Sequence, residues 1–249
     1  MFDASRKETD MTTITRKVVA AVAAVTLGIA MAGCGEDTGT DGTTEPSVTT
    51  TRSPADTTTE PTGLEQPALW PAADVVFDDP GAAAQDFLDN VLEAGAAGEF
   101  RQGDARSGEV DALFTGESGD RSIVRSTLLL RQLGSASGWF VIAAVNPNAA
   151  ITVPDSLAEV PAAPLSVEGI GRGFEANLNV SARVSGTTGE PLDLEIAQGG
   201  SEATPLPFTT TLDLSGAAAG DVVTIMVRGG TGIETDPGDF GAIPVVITG

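Results

Sequence analysis

Ala176-Asn177-Leu178-Asn179-Val180-Ser181-Ala182-Arg183-Val184 alternates without a break: Ala176, Leu178, Val180, Ala182 and Val184 fall on one side of an extended chain, and Asn177, Asn179, Ser181 and Arg183 fall on the other. A period of two with one apolar side is the pattern of an antiparallel strand lying between a core and water. The pattern recurs along the chain. Leu192, Leu194 and Ile196 alternate with Asp193 and Glu195; Phe208, Leu212 and Leu214 do so less strictly; Val223, Ile225 and Val227, then Ile243, Val245 and Ile247, complete the set. Short strands with turns at regular spacing predict an antiparallel β-sandwich over residues 149–249. Thirty glycines, 15 prolines and a 4% aromatic content agree with a turn-rich, mainly β chain.

Upstream, Asn146-Pro147-Asn148 interrupts the pattern, and a small α+β module is expected over 71–148. Asp79 followed by Pro80 signals a helix start, with an N-cap side chain and a proline at the first helical position. Ala84, Phe87, Leu88, Val91 and Leu92 then recur at three- and four-residue spacing, and Gly95 and Gly98 end the run. Strands are predicted at Glu109–Thr115, Ser122–Leu133 and Trp139–Val145, joined by glycine-rich loops at 116–120 and 134–138. Trp139 opens an apolar strand and is expected to pack under the helix.

Residues 1–33 have the order of a secretory signal: Arg16 and Lys17, the apolar run Val18 to Ala30, then Met31-Ala32-Gly33-Cys34. Those last four residues resemble the lipobox of bacterial lipoproteins, with Met31 where leucine is more usual. The resemblance implies a diacylglyceryl thioether on Cys34, cleavage before it and an acyl anchor outside the cytoplasmic membrane. Cys34 is the single cysteine, so it has neither a disulfide partner nor a companion thiolate for a metal. Residues 34–70 are rich in Thr, Pro, Gly and Asp, with too little apolar surface to offset ordering entropy, and are expected to form a tether.

The formal charge is −22; the first 33 residues carry four basic and three acidic side chains, leaving nine basic against 32 acidic residues, a balance of −23. That surface repels nucleic acid and anionic head groups, so the expected membrane contact is the Cys34 lipid alone. Beyond Cys34 there is no histidine, lysine or tyrosine, so serine nucleophiles lack a nitrogen base and zinc lacks its usual ligands. A non-catalytic protein without cofactor or metal is expected. Two alternatives stay open: a glycan-active enzyme using an Asp/Glu pair, and a small-ligand carrier between the helix and sheet of the 71–148 module.

Within the C-terminal part, Ile151-Thr152-Val153-Pro154, Ala163-Pro164-Leu165-Ser166-Val167-Glu168-Gly169, Gly173-Phe174-Glu175-Ala176 and Pro207-Phe208 resemble the immunoglobulin-like domain of bacterial spore-germination lipoproteins. The resemblance implies an immunoglobulin-like β-sandwich, an envelope location and an adhesion or assembly role, linked to spore or envelope processes, with an envelope protein or glycan as partner. Gly169-Ile170-Gly171-Arg172-Gly173 misses the spacing of a dinucleotide loop, and its glycines are expected to turn the backbone between two strands. The segments Gly169–Glu175, with Arg172, and Arg228–Gly241, with Glu234, Asp236 and Asp239, are the candidate partner-contact loops. The three carboxylates there are also a conceivable calcium set; the expectation is that they are exposed and that calcium is dispensable.

Overall fold

The computed structural model describes residues 64–116, 121–201 and 203–249. The expected signal at 1–33, Cys34 and the tether through residue 63 lie outside the described residues. Asp79 caps the helix as its sequence predicts: its side chain accepts from Ala82 N at 2.7 Å, and helix α1 runs over Pro80–Phe87 before a wider turn at Leu88–Leu92. The strands are β1 (Ala96–Gln102), β2 (Ser107–Thr115), β3 (Ser122–Leu133), β4 (Gly138–Val145), β5 (Ala149–Val153), β6 (Glu159–Pro161), β7 (Pro164–Gly173), β8 (Asn177–Val184), β9 (Asp193–Gln198), β10 (Gly200–Ser201), β11 (Leu206–Asp213), β12 (Val222–Gly229) and β13 (Asp239–Thr248). They build a nine-stranded sheet in the order β1-β2-β3-β4-β13-β12-β8-β9, with β6 on β13, and a four-stranded sheet of β10-β7-β11 with β5 on β7. The chain is mainly β, a large sheet sandwiched with a smaller one and bearing one short helix.

One row of directly opposed residues crosses the large sheet: Phe100, Val110, Leu128, Ala144, Ala242, Met226, Ser181 and Leu194. Opposed residues share a sheet face. From Val110 to Met226 this row is buried beneath Ala83, Ala84, Phe87, Leu88 and Leu92 of the helix. The second sheet covers the reverse face further along, where Leu178, Val180, Ala182, Val223, Ile225 and Val227 pack against Val167, Phe208 and Leu212. Strands β12 and β13 are therefore covered on both faces, which is why they read as nearly continuous apolar runs.

This arrangement carries the sheet straight across the expected division at 148/149. Met226, Phe240 and Ala242 come from the C-terminal segment and complete the core under the helix. The packed body also starts before residue 71: Leu69 and Trp70 are buried, Val141 N donates to Trp70 O at 2.8 Å, and the Trp70 indole donates to Asp86 at 2.7 Å. Ala68 adds a third buried side chain, against Leu133 and Phe140, and Glu65 accepts from Gly134 N at 2.6 Å, so the segment just before residue 71 is packed on the sheet. Trp139 packs under the helix as expected, edge-on to Phe100 with ring centroids 5.1 Å apart.

Two strand readings change in the folded chain. In β9 the alternation is present but reversed: Leu194 and Ile196 are 53% and 67% exposed, while Glu195 stands opposite the core residue Val180. The core-side positions of this edge strand lie at the rim of the sandwich, where Asp193 accepts from Asp213 N of the other sheet at 2.7 Å. The glycines of 169–173 sit inside β7 and do not make a turn. A Cβ at Gly169 would lie 2.2 Å from Ala150 O, and one at Gly171 would lie 2.5 Å from Leu178, so these glycines admit close approach of neighbouring chains.

Candidate functional site

Arg172, next to last in β7, and Asp239, first in β13, meet at the end of the sandwich. The Arg172 Nε and a terminal nitrogen each lie 2.9 Å from Asp239 Oδ2. Strand β3 supplies a second guanidinium that the sequence reading missed. Arg125 Nε donates to Asp236 Oδ1 at 2.8 Å, another of its nitrogens pairs with Asp236 Oδ2, and its third stands 3.5 Å from Asp239 Oδ1. The network thus ties β3 of the helix-covered region, the loop at 230–238 and the second sheet to one another.

Arg228 of β12 holds the same loop from beneath, donating to the carbonyls of Pro237 and, at 3.3 Å, Asp236, and reaching Leu92 O at the end of the helical turn at 3.4 Å. Burial pushes its guanidinium below the ordinary arginine value, against the opposing pull of Asp236 and Glu93. Gly238, at φ +70°, turns the chain so that its N–H reaches Asp236 Oδ1 at 2.9 Å.

These contacts correct the expectation for the Arg228–Gly241 segment. The strands close in on it from both ends, and the residues that remain as loop are pinned by arginines. Asp236 and Asp239 are 1% and 6% exposed, and their charges are spent on Arg125 and Arg172; of the three candidate acids only Glu234 stays at the surface. Burial forces such pairing, because an ionised carboxylate leaving water needs a compensating partner. The three acids do not converge on a common point, and among the described residues no three acidic, histidine or cysteine side chains are grouped to hold a metal ion. The signal that could have found the network was an arginine set in an apolar strand, in Ser122–Leu133 and in Val222–Gly229, where its charge must find an acid.

An open cleft of about 210 Å³ lies over this network. Arg125, Arg172 and Asp239 line it together with Phe174, Thr231 and the backbone of Gly173, Gly229 and Gly230. Gly229 has no room for a side chain, since a Cβ there would meet Arg172 O at 1.8 Å; β7 and β12 therefore approach backbone to backbone in its wall. Phe174 follows β7 in a single turn of 3-10 helix and is 48% exposed. The space between helix and sheet, by contrast, is filled by Phe87, Leu88 and Leu92 against Val110, Leu128 and Val141.

No protein-family model matches the chain, and neither a curated protein nor a solved structure matches it. No helix among the described residues is long and apolar enough to cross a membrane.

Proposed function

We propose that this chain is a lipid-anchored protein of the cell envelope that presents an immunoglobulin-like binding module outside the cytoplasmic membrane and performs no catalysis. The observation that carries the reading is the cleft: a concave site with few, pre-oriented polar groups, an exposed aromatic ring and walls made of backbone suits recognition. Its acids do not suit acid–base chemistry on a glycan. Both oxygens of Asp236 accept from Arg125, and those of Asp239 face Arg125 and Arg172, so neither is posed to pass a proton to a ligand. Anchoring rests on Met31-Ala32-Gly33-Cys34, whose thiol would carry the lipid, with residues 34–63 spacing the folded body from the membrane. A link to spore or envelope processes rests on the separate resemblance of the segments at 151–154, 163–169, 173–176 and 207–208 to the immunoglobulin-like domain of bacterial spore-germination lipoproteins.

Fractionation of cells expressing the wild-type chain and Cys34→Ser tests the anchoring. The wild type is expected in the membrane fraction at the mass of a chain cut before Cys34 and acylated, and the variant in the soluble or unprocessed pool. Equal membrane partition and equal mature mass for both would sink the reading.

A further inference from the structure

We propose that a second copy of this chain covers the open ledge of β8 and β9, the two copies meeting ledge to ledge about a twofold axis that runs along the strands. The inference is independent of the cleft and of the anchor.

Leu194 is 53% exposed and Ile196 is 67% exposed, the highest value for a large apolar side chain among the described residues. Both lie on the helix-side face of the large sheet but past the edge of the helix layer: along one row Met226 of β12 is buried, Ser181 of β8 is half-buried and Leu194 is bare. Ile196 stands opposite Asn179, which shares a shallow hollow of about 370 Å³ with the 53% exposed Ile233. Three aliphatic side chains in one patch exceed the scattered exposure that any surface shows.

Charge marks the same face. Its other positions on β8 and β9 are Asn177, Asn179, Ser181, Arg183 and Gln198, so these strands place no acid there although the chain carries −22; Glu234 stands across the hollow, off the strands. Copies repel wherever two acidic surfaces face each other, and least where this ledge meets its own image. Gln198 Nε2 donates to Asn177 Oδ1 at 2.8 Å, so that pair can be covered at low cost.

Shape favours a face contact over an added strand. Asp193 accepts from Leu194 N at 2.9 Å and from Asp213 N at 2.7 Å, which closes the β9 edge toward the second sheet. The helix layer beside the ledge is a step about 10 Å high, which is about the spacing of two sheets stacked face to face. A second ledge therefore continues the layer that the helix begins, and each helix lies past the other copy's β9 edge. Strands of eight and six residues, with Ile233, bury roughly 800–1,000 Å² in the pair. That is the lower limit of specific interfaces, so the dimer is weak and reversible.

The test is sedimentation velocity of the full chain in detergent, with micelles in large excess over chains, across about a thousandfold range of protein concentration. The wild type is expected to pass from monomer to dimer as concentration rises, and more readily at higher salt, which screens the acidic surplus. Ile196→Glu brings a carboxylate of each copy into the apolar contact and should weaken association at least about tenfold. It should melt with the wild type, because the side chain is exposed in the monomer. Leu206→Glu, at a 50% exposed position of β11 in the other sheet, should associate like the wild type. A wild-type chain that stays monomeric throughout, association that Ile196→Glu retains, or equal loss in Leu206→Glu would overturn the proposal. A complex formed only with a different protein and blocked by Ile196→Glu would overturn it as well, leaving the ledge as the contact for that partner.

Discussion

At the β1–β4 end of the large sheet, Val110, Leu128 and Ala144 lie under a helix, and the reverse face, with Arg101, Glu109 and Asp111, meets solvent; at the β8–β9 end the reverse face, with Leu178, Val180 and Ala182, meets a second sheet, and Leu194 and Ile196 meet solvent. The two ends share one hydrogen-bonded framework and differ in which face is covered. Each covering layer is too small to bury the sheet by itself, so the two overlap only at β12 and β13 and leave a bare face at either extreme. A joint of this kind needs reinforcement. β4 meets β13 at Ala144 opposite Ala242, and the arginine–aspartate network supplies a second tie from β3 to the loop and to β7.

Breaking that tie should have the largest effect. Asp236→Asn removes the buried carboxylate that pairs with both ends of the partly buried Arg125 guanidinium and is expected to cost about 3 kcal/mol in denaturant unfolding, near the low end of the range for breaking a buried ion pair. Glu234→Gln, two residues away and exposed, should stay within about 0.5 kcal/mol. Equal effects of the two would show that the network does not join the halves.

The single row of opposed residues gives a sharper contrast. Leu128→Ala opens a cavity under the helix and is expected to cost about 2–5 kcal/mol. Leu194→Ala, in the same row and more than half exposed, should cost under about 1 kcal/mol. A large loss at Leu194 in the isolated protein would mean that the β8–β9 face is covered after all.

The smallest expected effect lies on the solvent face of the β1–β4 end. A hydrogen bond from Arg101, before all other causes, holds the Asp111 carboxyl below the usual carboxylate range. Because the folded value is the lower one, the pair adds stability above the unfolded aspartate value of about 3.9 and loses it as pH falls through the folded value. With Arg101 half exposed, the difference between wild type and Asp111→Asn at neutral pH should not exceed about 1 kcal/mol and should vanish in strong acid. A difference that grew as the pH fell would reverse the sign argued here.

Local chemistry was easy to read where one residue's neighbours in sequence decide it. Asp79-Pro80 started the helix, and strands β2 to β4, β8, β9 and β11 to β13 lie close to their apolar patterns. Strand β1 escaped notice because its register shifts between Ala97 and Phe100, which breaks the alternation a strand is recognised by. The site was legible only in pieces. Arg172 and Asp239 were singled out on separate segments and do meet, whereas Arg125, 111 positions before Asp236, had no local signal of its partner.

The sequence by itself determined the helix cap, the period of the strands, the mainly β class and the scarcity of proton-transfer groups, all of which follow from residue type and short-range spacing. Only the tertiary structure decided which side of β9 faces water, which acids are buried, that one sheet runs through both expected modules and that a cleft stands over the ion network. A period of two distinguishes two faces but does not say which neighbour will cover either, and a charge finds its partner through contacts that close only when distant strands come together.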